Sequence, residues 1–136
     1  MDSAGTGGAG VQKPGLLFPR ESYRIRGACI EVHKALGCGF LEKVYENALV
    51  HELGKCGFKV ARQVPLKVEY DGCIVGDFFI DLLVDDKFII ELKATAAELP
   101  IYKAQLINYL KASKLRLGFL VNFGRESLSF ERVVYG

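Results

Sequence analysis

The stretch Phe78-Phe79-Ile80-Asp81-Leu82-Leu83-Val84-Asp85-Asp86-Lys87-Phe88-Ile89-Ile90-Glu91-Leu92-Lys93-Ala94 sets two strongly apolar runs on either side of a charged turn and plants ionisable groups inside both. A carboxylate or ammonium left uncompensated in an apolar layer shifts its pKa or destabilises the fold by roughly several kcal/mol, so such groups are usually paired or bound to metal. Strand side chains alternate, which sets Glu91 and Lys93 on one face and Leu92 on the other. Whether Asp81 joins them depends on the turn. A three-residue loop, Asp85-Asp86-Lys87, pairs 84 with 88, 83 with 89 and hence 81 with 91, leaving the Asp81 and Glu91 β-carbons about 5 Å apart. A two-residue loop would put them on opposite faces. Carboxylates that close repel, which should raise the pKa of at least one unless a divalent cation lies between them. Hard oxygen donors beside a lysine favour Mg2+ or Mn2+ and an anionic substrate such as a phosphodiester.

Working outward, Ile25, Ala28, Cys29, Val32 and Leu36 recur at helical spacing and predict a first helix over Glu21–Leu36, ended by Gly37-Cys38-Gly39. A second helix, about Leu41 to Cys56, is expected to bury Leu41, Val44, Tyr45, Ala48 and Leu49, with Gly57 closing it. Strands are expected at roughly 58–70, 73–84 and 88–95, the first two joined by the hairpin signal Asp71-Gly72. Pro65 puts the first strand at an edge or bends it. Pro100 opens a third helix to about Ser113, and strands at Leu117–Phe123 and Leu128–Val134 follow. The order ααβββαββ predicts an α/β fold with a mixed central sheet flanked by helices.

With 136 residues, 50% hydrophobic and 25% charged, the chain is sized for one domain, expected over 21–136. Residues 1–20, glycine-rich through Gly15, are expected to form a flexible arm. Neither a signal peptide nor a membrane-spanning run is visible, so a cytoplasmic or nuclear setting is expected, without membrane association. Cys29, Cys38, Cys56 and Cys73 lack the paired spacing of zinc or iron–sulfur sites and read as free, largely buried thiols. The net charge of +2 does not announce a nucleic-acid binder. Lys103, Lys111, Lys114 and Arg116 nonetheless gather on and just after the third helix, either as a phosphate-binding rim or as an ordinary solvated face.

At this point the chain resembles a known family. Asp81 followed by Glu91-x-Lys93 resembles the active-site signature of the PD-(D/E)XK nuclease superfamily, with a restriction-endonuclease-like core. Gly39-Phe40-Leu41-Glu42-Lys43-Val44-Tyr45 matches the motif of its GxxExxY branch, and Gln105-Leu106-Ile107-Asn108-Tyr109 resembles the QxxxY element of exonuclease-like branches. The resemblance spans roughly Tyr23 to Val134, and three motifs in order are far more specific than one. Ile80 stands where many members have proline, a departure common within the superfamily.

The resemblance implies a Mg2+- or Mn2+-dependent nuclease acting on DNA, with branched or otherwise structured DNA among the candidate substrates, as a homodimer or higher homo-oligomer. Asp81 and Glu91, with a backbone carbonyl near Leu92, would hold the cation. Lys93 would orient or deprotonate the attacking water and stabilise charge on the phosphate. In related Holliday-junction resolvases a helical glutamate precedes the helix-ending glycine by about three turns; here that implies Glu46 as the further catalytic and metal-binding acid, with Glu42 as substitute or as a brace for the Gly37–Gly39 turn. Gln105 is expected at the site and Tyr109 either there or in the core. His33 and Tyr45 read as structural. The competing readings are a buried ion-pair network in a module that binds nucleic acid without cutting it, and an oligomeric scaffold that reuses the fold.

Overall fold

A computed structural model describes residues 17–136. Among these residues the elements run α1 (Pro19–Leu36), α2 (Glu42–Lys55), β1 (Val60–Tyr70), β2 (Cys73–Val84), β3 (Phe88–Lys93), α3 (Pro100–Ser113), β4 (Leu117–Asn122) and β5 (Ser129–Val134). The order is the one the sequence predicts. Most of the expected glycine-rich arm lies outside the described residues, and its end is already structured, since Pro19 opens α1.

The strands form one mixed sheet in the order β1-β2-β3-β4-β5. Only β3 and β4 run parallel, and α3 is the crossover between them. One face of the sheet packs Leu82, Val84, Phe88, Ile90 and Phe119 against Ile25 and Cys29 of α1 and Tyr45, Leu49 and Leu53 of α2. The other face packs Leu66, Ile80, Ile89 and Val133 against Leu106 and Leu110 of α3. β3 is buried along almost its whole length, as a strand covered by helices on both faces must be.

Pro65 does lie in an edge strand. Beyond Leu82 the β2–β3 pairing stops, so the outer parts of β1 and β2 form a two-stranded ribbon closed by Asp71 and Gly72, both with positive φ. The alternation of faces also breaks here: Leu82 points into the α1/α2 core, but Ile80 points into the α3 core. Opposite this break, Gln63 of β1 has φ 48°, a left-handed conformation unusual for a residue with a β-carbon.

Two burial expectations are corrected. Leu41 is 81% exposed and Val44 37% exposed, whereas Glu46 is 4% exposed. The buried stripe of α2 is Tyr45, Glu46, Leu49 and Leu53, about one residue round from the stripe predicted, because Tyr45 fixes the helix rotation. The cysteines are free, but only Cys29 is buried; Cys56 is intermediate, and Cys38 and Cys73 are exposed because each occupies a turn or strand tip.

Candidate active site

The three-residue turn brings the two strand carboxylates together. Val84 pairs with Phe88, Leu83 with Ile89 and Leu82 with Ile90, the register that makes Asp81 the neighbour of Glu91. Asp85 and Asp86 adopt left-handed φ values of 53° and 57°, which aspartate tolerates better than most residues. The turn is also held from outside: Asp85 N–H donates to the Lys59 carbonyl at 2.8 Å, and Lys59 N–H to Asp85 Oδ1 at 2.9 Å.

At residues 81 and 91 side chains replace the backbone ladder. Leu92 N–H donates to Asp81 Oδ2 at 2.8 Å, while Asp81 N–H donates to Glu91 Oε1 at 3.3 Å. The carboxylates thus fill a notch where β2 and β3 diverge. Burial, reinforced by the Asp81 charge, pushes the Glu91 carboxyl up to about 8 against the opposing pull of its backbone hydrogen bond and of Lys93. Asp81 is also raised, first by burial, with the Leu92 N–H bond opposing it and the Glu46 charge adding to it. The sequence pointed to repulsion as the cause, but desolvation is the larger one.

Helix α2 supplies two further acids. Glu46 Oε1 accepts from Gln63 Nε2 at 3.2 Å, and its Oε2 meets Lys43 Nζ at 3.3 Å. Glu42, at the helix start, has its pKa raised by partial burial and then by the Asp81 charge, with Lys93 acting the other way. The Gly37–Gly39 turn is braced by Tyr45, not Glu42. The Tyr45 hydroxyl donates to the Gly37 carbonyl at 2.6 Å and accepts from Phe40 N–H at 3.2 Å, while its ring stacks on Phe123 at 4.8 Å. Gly39 has φ 113°, which glycine alone adopts readily. The glycine and tyrosine of the motif therefore set the start of α2, and its glutamate is within electrostatic reach of Asp81.

The Lys93 ammonium lies 4.4 Å from the centre of the Tyr102 ring, within electrostatic reach of Glu42, Asp81 and Glu91. The Tyr109 phenol has its pKa raised by burial and then by the Glu91 and Asp81 charges. Gln105 is exposed and lines, with Tyr109, a groove of about 770 Å³ between α3 and the ribbon; Lys111 and Lys114 line it too. Lys103 is not among its lining residues, being paired with Glu131 at 2.7 Å, and neither is Arg116. His33 is structural as read, with Nε2–H donating to the Arg125 carbonyl at 2.9 Å.

Three residues of this region were not anticipated. Gln63 gave no signal, since a glutamine in an edge strand reads as solvated. Tyr102 likewise reads as an ordinary residue of the first turn of α3. Asn122 could have been found, because it is an amide inside an apolar run, the same clue that marks Asp81. It is 1% exposed and accepts from Thr95 N–H and Gly124 N–H while donating to the Thr95 carbonyl and Glu98 Oε2, pinning the loop that carries the chain from Lys93 to α3.

The donor chemistry suits a hard cation: half-buried Asp81 and buried Glu91 both offer carboxylate oxygens, and Glu91 Oε2 has no hydrogen-bond partner among the described residues. Among the described residues, no three His, Cys, Asp or Glu side chains converge as they stand on a point that would hold a metal. No described helix is long and apolar enough to cross a membrane.

No curated protein matches the chain. It is similar to a solved structure titled "Crystal structure of SSO0001", with 19% identity and a TM-score of 0.55, covering 85% of this chain and 60% of that one. At that identity the likeness is one of fold, and the chain spans less than two thirds of that relative. A sequence model of the PD-(D/E)XK nuclease superfamily matches residues 19–133. That match runs from the first turn of α1 into β5 and takes in all three helices, and the chain belongs to the PD-(D/E)XK nuclease superfamily.

Proposed function

We propose that the chain is a Mg2+- or Mn2+-dependent nuclease of the GxxExxY branch that hydrolyses DNA phosphodiester bonds by attack of an activated water. PD-(D/E)XK nucleases generally use divalent metals and act on nucleic acid. The observation that carries the reading is the notch: half-buried Asp81 and buried Glu91 on adjoining strands, the latter with its pKa pushed up to about 8, and a lysine two residues further along β3. A purely structural ion pair has no use for a second carboxylate in place of a cation.

Asp81 and Glu91 would hold the cation, with Glu46 as the helical acid and Glu42 as its neighbour at the rim. When bound, the cation supplies Lewis acidity to a phosphoryl oxygen and lowers the pKa of the attacking water. Gln63 and Lys43 keep Glu46 turned to the site. Lys93, free to leave the Tyr102 ring, neutralises charge growing on the phosphate or takes the proton of the attacking water. Gln105 and Tyr109 face the substrate from α3.

The test is incubation of supercoiled, linear and branched DNA with Mg2+, Mn2+ or EDTA. Cleavage by the wild type with metal, lost in EDTA and in Asp81→Ala, is the expected result. Cleavage that persists in Asp81→Ala, or none on any substrate with either metal, would overturn it.

A further inference from the structure

The groove between α3 and the β1–β2 ribbon holds none of the acids, but Phe78 in its wall stands three residues before Asp81 on β2. One wall is the outward face of α3, with Gln105, Asn108, Lys111 and Lys114; the other is the ribbon, with Lys67 and Phe78. Two aromatic rings lie in it. Phe78 is 43% exposed, and its ring centre is 5.8 Å from that of Tyr109 at an interplanar angle of 46°. Phe78 lies flat along its own strand because Gly76 leaves room: a β-carbon there would come within 2.9 Å of the ring. An exposed phenylalanine held in that posture keeps an apolar ring in water instead of burying it in the core.

The charges around the rings are mostly positive. Lys67, Lys111 and Lys114 face Glu69 alone, although Lys67 shares its charge with Asp77 at 2.7 Å. Lys111 and Lys114 make no ion pair among the described residues. Aromatic faces flanked by ammonium groups are what a base and its phosphate require together. In a duplex the base faces are covered by neighbouring bases, so the rings would have nothing to stack on. A partner that is only acidic, such as a peptide, would use the lysines but leave Phe78 and Tyr109 in water.

We infer that this groove binds an unpaired nucleic-acid strand, with bases stacked on Phe78 and Tyr109 and phosphates along Lys111 and Lys114, and leads it to the Asp81–Glu91 notch. The inference deepens the nuclease reading by naming its substrate class, an unpaired segment such as a single strand or flap, and rests on that reading only for what happens at the notch. Phe78 is the link, since it lines the groove and lies on β2, the strand that carries Asp81.

The experiment is fluorescence anisotropy of the full chain with a labelled oligo(dT) in EDTA, so that nothing is cut, against a duplex of the same length. Oligo(dT) should bind about tenfold more tightly than the duplex. Phe78→Leu should weaken it about five- to tenfold and Phe78→Tyr should leave it near wild type, because stacking needs a ring and not only apolar bulk. Lys111→Ala and Lys114→Ala should each lower the salt slope by about 0.7, and Lys34→Ala on α1 should change nothing. Equal affinity for duplex, an unaltered Phe78→Leu, or displacement by poly-glutamate as effective as by unlabelled oligo(dT) would each overturn the inference. The two readings fail separately. A protein that binds oligo(dT) through these residues but never cleaves upholds the groove and sinks the nuclease, whereas one that cleaves duplex and ignores Phe78→Leu does the reverse.

Discussion

The ammonium of Lys93 rests over the ring of Tyr102, 4.4 Å from its centre, and forms no close ion pair with Asp81 or Glu91 two or more residues away. A cation–π contact of this kind is worth roughly 0.5 to 2 kcal/mol and uses none of the three N–H donors in a fixed hydrogen bond. The lysine is therefore held near the notch while its donors stay available to an incoming phosphate. Tyr102 lies in the first turn of α3, so the position of that helix, set through the Asn122-pinned loop, also sets the position of the lysine.

Removing the charge should abolish catalysis and spare the fold. Lys93→Ala is expected to lower the single-turnover cleavage rate by about 100- to 1000-fold, the usual loss when a group that stabilises transition-state charge is deleted. Tyr102→Leu should cost only about fivefold, and Tyr102→Phe almost nothing, because the ring and not the hydroxyl holds the lysine. A Lys93→Ala variant as active as wild type would remove this residue from the site.

The protonation of Glu91 makes stability depend on pH in a definite direction. Its carboxyl is raised from the usual 4.5 to about 8 in the folded chain. Below 4.5 both folded and unfolded chains hold the proton and the slope is zero. Between 4.5 and 8 the folded chain holds a proton that the unfolded chain has released, so stability falls as pH rises, by a few kcal/mol in order of magnitude; above 8 it levels off. Asp81, raised as well, adds to the same slope. Glu91→Gln should flatten the curve and melt higher than wild type near pH 8. Urea titrations across this range check it, and a wild-type midpoint that rises with pH would contradict it.

How much of this was legible from the residues alone follows from how local each determinant is. The Asp81–Glu91 pairing was readable because the length of the Asp85–Lys87 turn forces an odd offset, and strand register has a period of two. The rotation of α2 was not, since apolar residues at 41, 44, 45, 48 and 49 describe a stripe as acceptable as 45, 49 and 53. Only the Tyr45 bond to the Gly37 carbonyl and its stacking on Phe123 decide between them. The lysines of α3 show the same limit. Spacing groups Lys103 with Lys111 and Lys114, but Glu131 of β5, distant in sequence, takes Lys103 away.

A divalent cation should substitute for the proton on Glu91. Millimolar Mn2+ is expected to raise the melting temperature by several degrees at pH 8, since a ligand present at 100 times its Kd contributes about 2.7 kcal/mol. The gain should be smaller at pH 6, where the cation must displace the proton, and absent in Asp81→Ala. Differential scanning fluorimetry with and without Mn2+ at the two pH values measures it. An unchanged wild-type curve, with no heat of binding in calorimetry, would count against a cation at the notch.

Gln63 offers a way to separate strain from function. Its φ of 48° puts a residue with a β-carbon in left-handed territory at the point where β1 faces Asp81, and its side-chain amide donates to the buried Glu46 at 3.2 Å. Gln63→Ala loses the amide and keeps the strain, whereas Gln63→Gly loses the amide and relieves the strain. The glycine variant should thus be more stable than the alanine variant by about 1 kcal/mol, read from urea midpoints at equal slope. Both leave Glu46 short of one donor, so both should lose cleavage and Mn2+ affinity to the same degree despite their different stabilities. Equal stability of the two variants would mean that the left-handed turn of the strand is not kept in solution. A glycine variant with full activity would mean that the fold needs Gln63 and the site does not.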